Sequence, residues 1–403
     1  MITVEEASKI IQSKIRSFGV EHVSLMEAHG RTLKETICAD QDFPPFNRVC
    51  MDGIAVSASS FEKGLRTFTI EGIQAAGSPQ LVKKGIDSCI EVMTGAVLPE
   101  GADVVIPYEQ VDLENGKATV SITSVKHMQN VHLKGKDKKK GDVLINEDTQ
   151  ITAAEIGVLA TVGKSAIKVA KQPTVVIIST GDELVEVHEI PLAHQIRRSN
   201  VYSLQSLLLA LGITAETRHI GDDKSSLSNE IESCFEQYDV LLFSGAVSKG
   251  KFDFIPEVLD NLGVKKLFHK VKQRPGKPFW FGELQAANGG RQATVFAFPG
   301  NPVSTYVNCL QYFYPWYKAS IGVEVKKEYA VLKEDISFKP QMTYFLQVKL
   351  EQNQGEIEAA PVTGNGSGDL ANLVKADAFL ILPMEQTEFK KGNVFPILRY
   401  RSF

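Results

Sequence analysis

Three apolar runs of the chain end in small residues mixed with acids and hydroxyls: STGDEL (179–184), SGAVSKGKFD (244–253) and FPGNPVS (298–304). Glycine lets backbone N–H groups come close to a bound oxyanion, and a serine or threonine hydroxyl adds a further donor. Ser179, Thr180, Gly181, Ser244, Gly245, Ser248, Pro299, Gly300, Asn301 and Ser304 are therefore candidate substrate contacts. In PGNPVS, Asn301 suits an N-cap and Pro302 the first helical position, which would turn the positive end of a helix toward the same region. Any one of these turns alone reads equally as an ordinary tight turn. Three of them at equivalent positions point to a site.

Acids accompany the turns. Asp182, Glu183, Asp222 and Asp253 would gather near one crevice, where their repulsion calls for a cation, and Mg²⁺ suits oxygen ligands shared with substrate phosphates. The alternative is that some of them are N-caps or solvent-facing charges. Bases follow in KVKQRPGKPFWFG (270–282), where Lys270, Lys272, Arg274 and Lys277 flank a Pro275-Gly276 turn and would either hold an anion or decorate a surface strand. A second basic run, KGKDKKKGD (134–142), sets five lysines around Asp137. On charge alone it is a solvated hairpin, and an anion-facing loop is the other reading. Acids for a metal and bases for oxyanions, without an obvious cysteine or histidine nucleophile, favour phosphate or oxyanion chemistry over covalent catalysis.

The elements that must carry these groups alternate after Pro173. Strand TVVIIST (174–180), a helix from Asn200 to Leu211, the extended ITAETRHI (213–220), a helix from Lys224 to Gln237 and strand DVLLFSG (239–245) come first. A helix from Asp253 to Leu262, the extended VKKLFHKVKQR (264–274), strand ATVFAFPG (293–300) and a helix from Pro302 to Ala319 complete the run. This rhythm predicts a parallel sheet covered by helices on both faces, with ligands beyond the carboxyl ends of the strands. Between about Asp40 and Lys140, short β-type runs broken by turns predict a compact all-β module. The first 37 residues, with Ala7, Ile10, Ile11, Ile15 and Phe18 at helical spacing, and Thr152 to Thr161 read as helical. From about Lys326 the extended runs predict a small β domain, in which GNGSGDLANLVKAD (364–377) cradles a ligand or merely turns.

Composition sets the limits. A chain of 403 residues exceeds one ordinary core and suggests roughly two to four domains. Hydrophobic residues at 43% and charged residues at 23% are globular values and exclude disorder. A net charge of −4 and a pI near 6.1 exclude a dedicated nucleic-acid binder, so any anion site is local. The five cysteines are scattered and form no zinc-type spacing, as expected of a reduced chain. MITVEEASKII carries acids where a signal peptide carries bases, and no long apolar run follows; a cytoplasmic protein off the membrane is expected.

In this order, PPFNRVCMDGIAV (44–56), MTGAVLPEGADVVIPYE (93–109), ISTGDEL, SGAVSKGKFD, RPGKPFWFG and FPGNPVS closely resemble the molybdopterin molybdenumtransferases, the MoeA family to which the E domain of gephyrin is related. The resemblance covers nearly the whole chain. It implies an α/β multidomain fold: a three-layer parallel-sheet domain like that of molybdopterin adenylyltransferases (173–325), a small β module (41–140), an elongated helical connecting domain (1–40 and 141–172) and a C-terminal β-barrel-like domain (326–403). It implies insertion of molybdate into adenylylated molybdopterin with release of AMP, assisted by Mg²⁺, in a homodimer whose site lies between subunits. Transient contact with other cofactor-biosynthesis proteins would accompany this role.

Carried over residue by residue, the resemblance makes Asp52 and Thr94 the contribution of the β module. Glu183, Asp222 and Asp253 become the catalytic and metal-holding acids. Lys270, Arg274, Lys277 and Ser367 match positions suited to molybdate or phosphate, and Asp137 matches the acid of an arginine-rich motif. The chain departs from the pattern there: His132, Leu133 and Lys134 replace consecutive arginines and Lys136 an acid. Lysine cannot reproduce the bidentate fork of arginine. FNRVCMDG also gains Arg48, and Ala246 replaces a glycine. Two other classes compete: an adenylyltransferase acting on ATP and molybdopterin, and a scaffold that binds molybdopterin without turnover.

Overall fold

The computed structural model describes residues 1–245, 253–285 and 292–401. Its contacts divide the chain into two compact units, one of residues 1–23, 30–34 and 168–403, the other of residues 24–29 and 35–167.

The first unit is built on a six-stranded sheet. Its strands are β1 (Val175–Thr180), β2 (Glu216–Ile220), β3 (Val240–Ser244), β4 (Lys265–His269), β5 (Trp280–Leu284) and β6 (Ala293–Phe298), in spatial order β2-β1-β3-β6-β5-β4. The first four strands of that order are parallel, and β5 runs antiparallel to both neighbours. The expected parallel sheet is thus a mixed one. The end of KVKQRPGKPFWFG, expected to hold an anion or lie on a surface strand, is instead a buried strand, Trp280–Leu284, because WFGEL packs three large side chains while its backbone completes the ladder beside β6.

Successive residues of a strand face opposite sides, and the sheet uses both. Val175, Ile177, Val240, Leu242, Phe296 and Phe298 pack on one face with α1 (Ser199–Leu209) and α4 (Pro302–Asn308). Val176, Ile178, Leu241, Phe243, Val295 and Ala297 pack on the other with α2 (Lys224–Gln237) and α3 (Ile255–Asn261). Every residue of β1, β3 and β6 is buried, which explains their unbroken apolar sequences. The helix expected from Pro302 to Ala319 is present but passes through a π-helical turn at Cys309–Phe313. Its aromatics, with Phe279 and Phe296, form stacked and edge-on pairs that fix it on the sheet.

Order β2-β1-β3 makes the chain leave β1 toward one edge and return to the other side. The carboxyl ends of β1 and β3 therefore flank the point where the winding reverses, the usual crevice of such sheets.

The C-terminal part of this unit closes on itself. Thr343–Asn353 pairs with Glu356–Pro361 and Ala378–Leu382, and Glu328–Leu332 and Val394–Arg399 complete a five-stranded barrel around Leu346, Val348, Leu380 and Ile397. Gln273–Arg274 joins it as a sixth strand beside Thr343–Tyr344.

The first 37 residues are helical only over Val4–Gln12, where Thr3 and Glu6 cap each other reciprocally and Ala7 and Ile11 are buried. Val20–Ser24 is instead a strand of alternating exposure, a period of two that a helix cannot use.

The second unit holds a six-stranded, mostly antiparallel sheet in the order Val104–Pro107, Gly53–Val56, Ser88–Val92, Thr67–Gln74, Lys117–Val120, Val111–Glu114. Helix Ala153–Thr161 begins on a second capping box, Thr152 with Glu155.

Candidate active site

The three strand ends meet. A cavity of about 490 Å³ beyond β1, β3 and β6 is lined by Ser179, Thr180 and Glu183 from the first end, Ser244 and Gly245 from the second, and Pro299, Gly300 and Asn301 from the third. Cross-strand register explains the convergence, since Ser179 sits opposite Ser244 and Ser244 opposite Phe298. Gly181 has φ of +129°, and a Cβ there would lie 2.3 Å from Oε2 of Glu183. The glycine of STGDEL is thus what lets the Glu183 carboxylate fold back over the turn.

Asn200, at the start of α1, ties the ends together. Its Nδ2 donates to Oγ of Ser244 at 2.9 Å and to the carbonyl of Gly300 at 2.6 Å. Neither Asn200 nor its neighbour Arg198, which is buried in the same wall, stood out in the sequence. The one available signal was the small polar pair Ser199-Asn200 opening a helix that follows a site strand.

The acids collect where β1 and β2 end. Oδ1 of Asp182 accepts the backbone N–H of Asp222 at 3.1 Å. Burial, followed by the charges of Asp182, Glu183 and Asp253, pushes the Asp222 carboxyl above its usual range, although a hydrogen bond to it from the backbone N–H of Asp182 pulls the other way. All four acids act on one region. Among the described residues, no three carboxylate, imidazole or thiolate groups stand close enough to hold a metal ion by themselves. The arrangement fits a cation that takes one or two carboxylates and completes its shell from substrate phosphates and water, the habit of Mg²⁺. Ser248 lies outside the described residues.

A second cavity, of about 570 Å³, shares Pro278, Pro299 and Asn301 with the first. Arg274, Lys277, Ser304 and Ser367 line it. The Arg274–Lys277 loop is held from below by buried polar groups. Gln273 donates to the carbonyl of Pro275 at 2.9 Å and to Oδ1 of Asn308 at 2.7 Å, Tyr312 donates to Gln273, and Asn308 donates to the carbonyl of Gly276 at 3.2 Å. Gly276 has φ of +91°, and a Cβ on it would meet both Asn308 and Gln273 at 2.6 Å. On the opposite wall, Nδ2 of Asn301 donates to Oγ of Ser367 at 2.8 Å, and the Ser367 carbonyl accepts the N–H of Val303 at 3.0 Å. The GNGSGD stretch is a cavity wall as well as a turn. Lys270 lines neither cavity; its N–H donates to the carbonyl of Phe279, and its own carbonyl accepts the N–H of Ile2.

In the second unit, Asp52 and Thr94 are in contact. Oδ1 of Asp52 accepts the Thr94 backbone N–H at 2.6 Å and its hydroxyl at 2.7 Å, and these two bonds, the backbone one first, hold the Asp52 carboxyl below the usual range. Asp137 pairs with Nε2 of His132 at 2.8 Å, and Nδ1 of His132 lies 3.5 Å from a guanidinium nitrogen of Arg48. Arg48 and His132, two departures from the family pattern, face each other across the ribbon of Arg48–Val49 and Val131–His132. One replaced arginine is thus answered by another, on the partner strand.

Three family models match in sequence: the MoeA N-terminal region (domain I and II) over residues 2–163, a probable molybdopterin binding domain over 176–319, and the MoeA C-terminal region (domain IV) over 329–400. A molybdopterin molybdenumtransferase of Synechocystis sp. is 38% identical over 98% of this chain and 99% of its own length. That of Bacillus subtilis is 30% identical over 99% and 94%. The crystal structure of a molybdopterin biosynthesis MoeA protein from Pyrococcus horikosii superposes with a TM-score of 0.84 at 29% identity, covering 100% of both chains. With this full-length likeness, the chain belongs to the MoeA family of molybdopterin molybdenumtransferases.

Proposed function

We propose that this protein is an enzyme of molybdenum cofactor biosynthesis that inserts molybdate into adenylylated molybdopterin and releases AMP. The observation that carries the reading is the pair of adjoining cavities: one formed by three strand ends rich in N–H and hydroxyl donors, the other presenting Arg274 and Lys277 to an oxyanion. In this reading Ser179, Thr180, Ser244 and Gly245 hold the nucleotide-linked substrate through its phosphates, with Asn301 between the two cavities. Arg274, Lys277, Ser304 and Ser367 hold the tetrahedral molybdate near the dithiolene sulfurs.

One or two of Glu183, Asp222 and Asp253, together with substrate phosphates and water, would hold Mg²⁺, which would neutralise the pyrophosphate link as it is broken. The raised Asp222 carboxyl supports this assignment, since a cation among these acids relieves the cost of ionising it. A homodimer, with Asp52 and Thr94 brought to the strand-end cavity by the second copy, and a cytoplasmic location belong to the same proposal. No helix among the described residues is long and apolar enough to cross a membrane, which is compatible with it.

Purified protein incubated with adenylylated molybdopterin and Mg²⁺ should release AMP only when molybdate is added. Consumption of ATP with unmodified molybdopterin would favour the adenylyltransferase reading instead. Binding without cleavage under every condition would leave a carrier.

A further inference from the structure

Arg198 is 7% exposed, sits at the N-cap of α1 and lines the strand-end cavity. A buried guanidinium is normally paired on all sides, because an unpaired buried charge is costly. Arg198 is only partly paired. Its Nη2 meets Oε1 of Glu186 at 2.7 Å, its Nη1 lies 3.5 Å from Oγ of Ser179, and its Nε has no partner among the described residues. Thr180, in the same wall, also has a buried hydroxyl oxygen without a partner. The other arginine of the wall, Arg197, is exposed and donates to the carbonyl of Glu189.

An ion pair that merely fastened the Glu186 loop to α1 would need only the Nη2 contact. It leaves unexplained why Nε stays without a partner and Nη1 has only a long contact to Ser179 in the wall of a cavity that Ser179, Thr180, Glu183, Asn200 and Ser244 also line. We propose that Arg198 is a phosphate-contact residue of this enzyme, taking an oxygen of the nucleotide-linked phosphate in the strand-end cavity while Glu186 fixes the orientation of its guanidinium. The inference rests on the functional reading above and adds to it the residue that distinguishes a phosphorylated ligand from its neutral counterpart. A planar fork suits this task, and lysine would serve it less well.

The test is calorimetric titration of the full chain with AMP and with adenosine. The native protein should prefer AMP. Arg198→Met should weaken AMP binding at least tenfold and leave adenosine binding unchanged, with Arg198→Lys in between. Parallel loss of both ligands would mean that Arg198 only supports the fold, and an unchanged preference for AMP would remove it from the site; either overturns the proposal. Should Arg198→Met fail to fold, Glu186→Gln carries the test. Removing that counter-charge should tighten AMP several-fold without affecting adenosine, and unchanged AMP binding overturns the assignment. If the native protein never releases AMP from adenylylated molybdopterin, the functional reading fails, while the comparison of AMP with adenosine still reports on Arg198. If release proceeds and Arg198→Met keeps its preference for AMP, the inference fails alone.

Discussion

Thr94 grips Asp52 twice, through its backbone N–H at 2.6 Å and through its hydroxyl at 2.7 Å, so that the MDG and MTG motifs, separated by some forty residues of chain, form one two-residue unit. Both bonds favour the ionised carboxyl and hold it below its usual range. Thr94→Val keeps the backbone bond and removes the other. The Asp52 carboxyl should then titrate closer to the ordinary range, as read by NMR of its carboxyl carbon. The sign for stability follows from the depressed value: the contribution of Asp52 is present above the ordinary carboxylate range and is lost as pH falls through the lowered one. In acid unfolding, Thr94→Val should fall behind the native protein at neutral pH and converge with it in strong acid.

Asp222 behaves in the opposite sense. Its carboxyl is raised by burial and by Asp182, Glu183 and Asp253, so its favourable contribution is present at low pH and is lost as pH rises through the raised value. Asp222→Asn should therefore unfold at a slightly higher temperature than the native protein at neutral pH, with the difference vanishing in acid. Saturating Mg²⁺ should shift the native Asp222 titration downward. A titration indifferent to Mg²⁺ would remove Asp222 from the metal set.

Two glycines hold the turns of the two cavities in a backbone conformation that side chains resist. Gly181→Ala drives a Cβ into the Glu183 carboxylate, the far end of a flexible side chain that can move aside. Because a φ of +129° strains any side chain, a loss of AMP release is expected together with a cost of about 1–3 kcal/mol in denaturant unfolding. Gly276→Ala combines a φ of +91° with contacts at 2.6 Å to Asn308 and Gln273, which are buried and locked in a network. It should cost about 1–3 kcal/mol in denaturant unfolding, as expected of a side chain forced into the left-handed region.

The network beneath Arg274 and Lys277 gives a further prediction. Tyr312→Phe leaves the buried amide oxygen of Gln273 without its hydroxyl donor. A loss of about 1–3 kcal/mol is expected from such an unsatisfied group. Because the loop above loses its support, affinity for molybdate, measured by calorimetry, should fall as well.

Much of this site could be read from residue order because its logic is local. STGDEL, SG and FPGNP each follow an apolar run, and a parallel sheet brings such ends together whatever the rest of the chain does. Asp52 and Thr94 were legible only through the family motif, since nothing local in MDG or MTG indicates that they meet. Arg198 was missed because burial is not a property of sequence: in QIRRSN nothing distinguishes the buried arginine from its exposed neighbour Arg197. In KVKQRPGKPFWFG a surface strand was one reading, but the burial of Trp280–Leu284 in the sheet was not legible, because a run of five residues after a Pro-Gly turn has no periodicity to detect. The N-terminal stretch was over-read as helix because the spacing of Ala7, Ile10 and Ile11 was extended past Gly19, where alternation takes over. Arg48 and His132 were each visible as departures, but their pairing across strands required the register.

The central assignment is that the strand-end cavity performs the chemistry. We would measure molybdate-dependent AMP release from adenylylated molybdopterin, with Mg²⁺, by the native protein and by Glu183→Ala side by side, after confirming that both unfold at the same temperature. The predicted result is molybdate-dependent release by the native protein and a fall on the order of 100-fold in the variant, the scale of losing one charge-stabilising group. Equal release by the two proteins would contradict the assignment and move the chemistry away from the ends of β1 and β3.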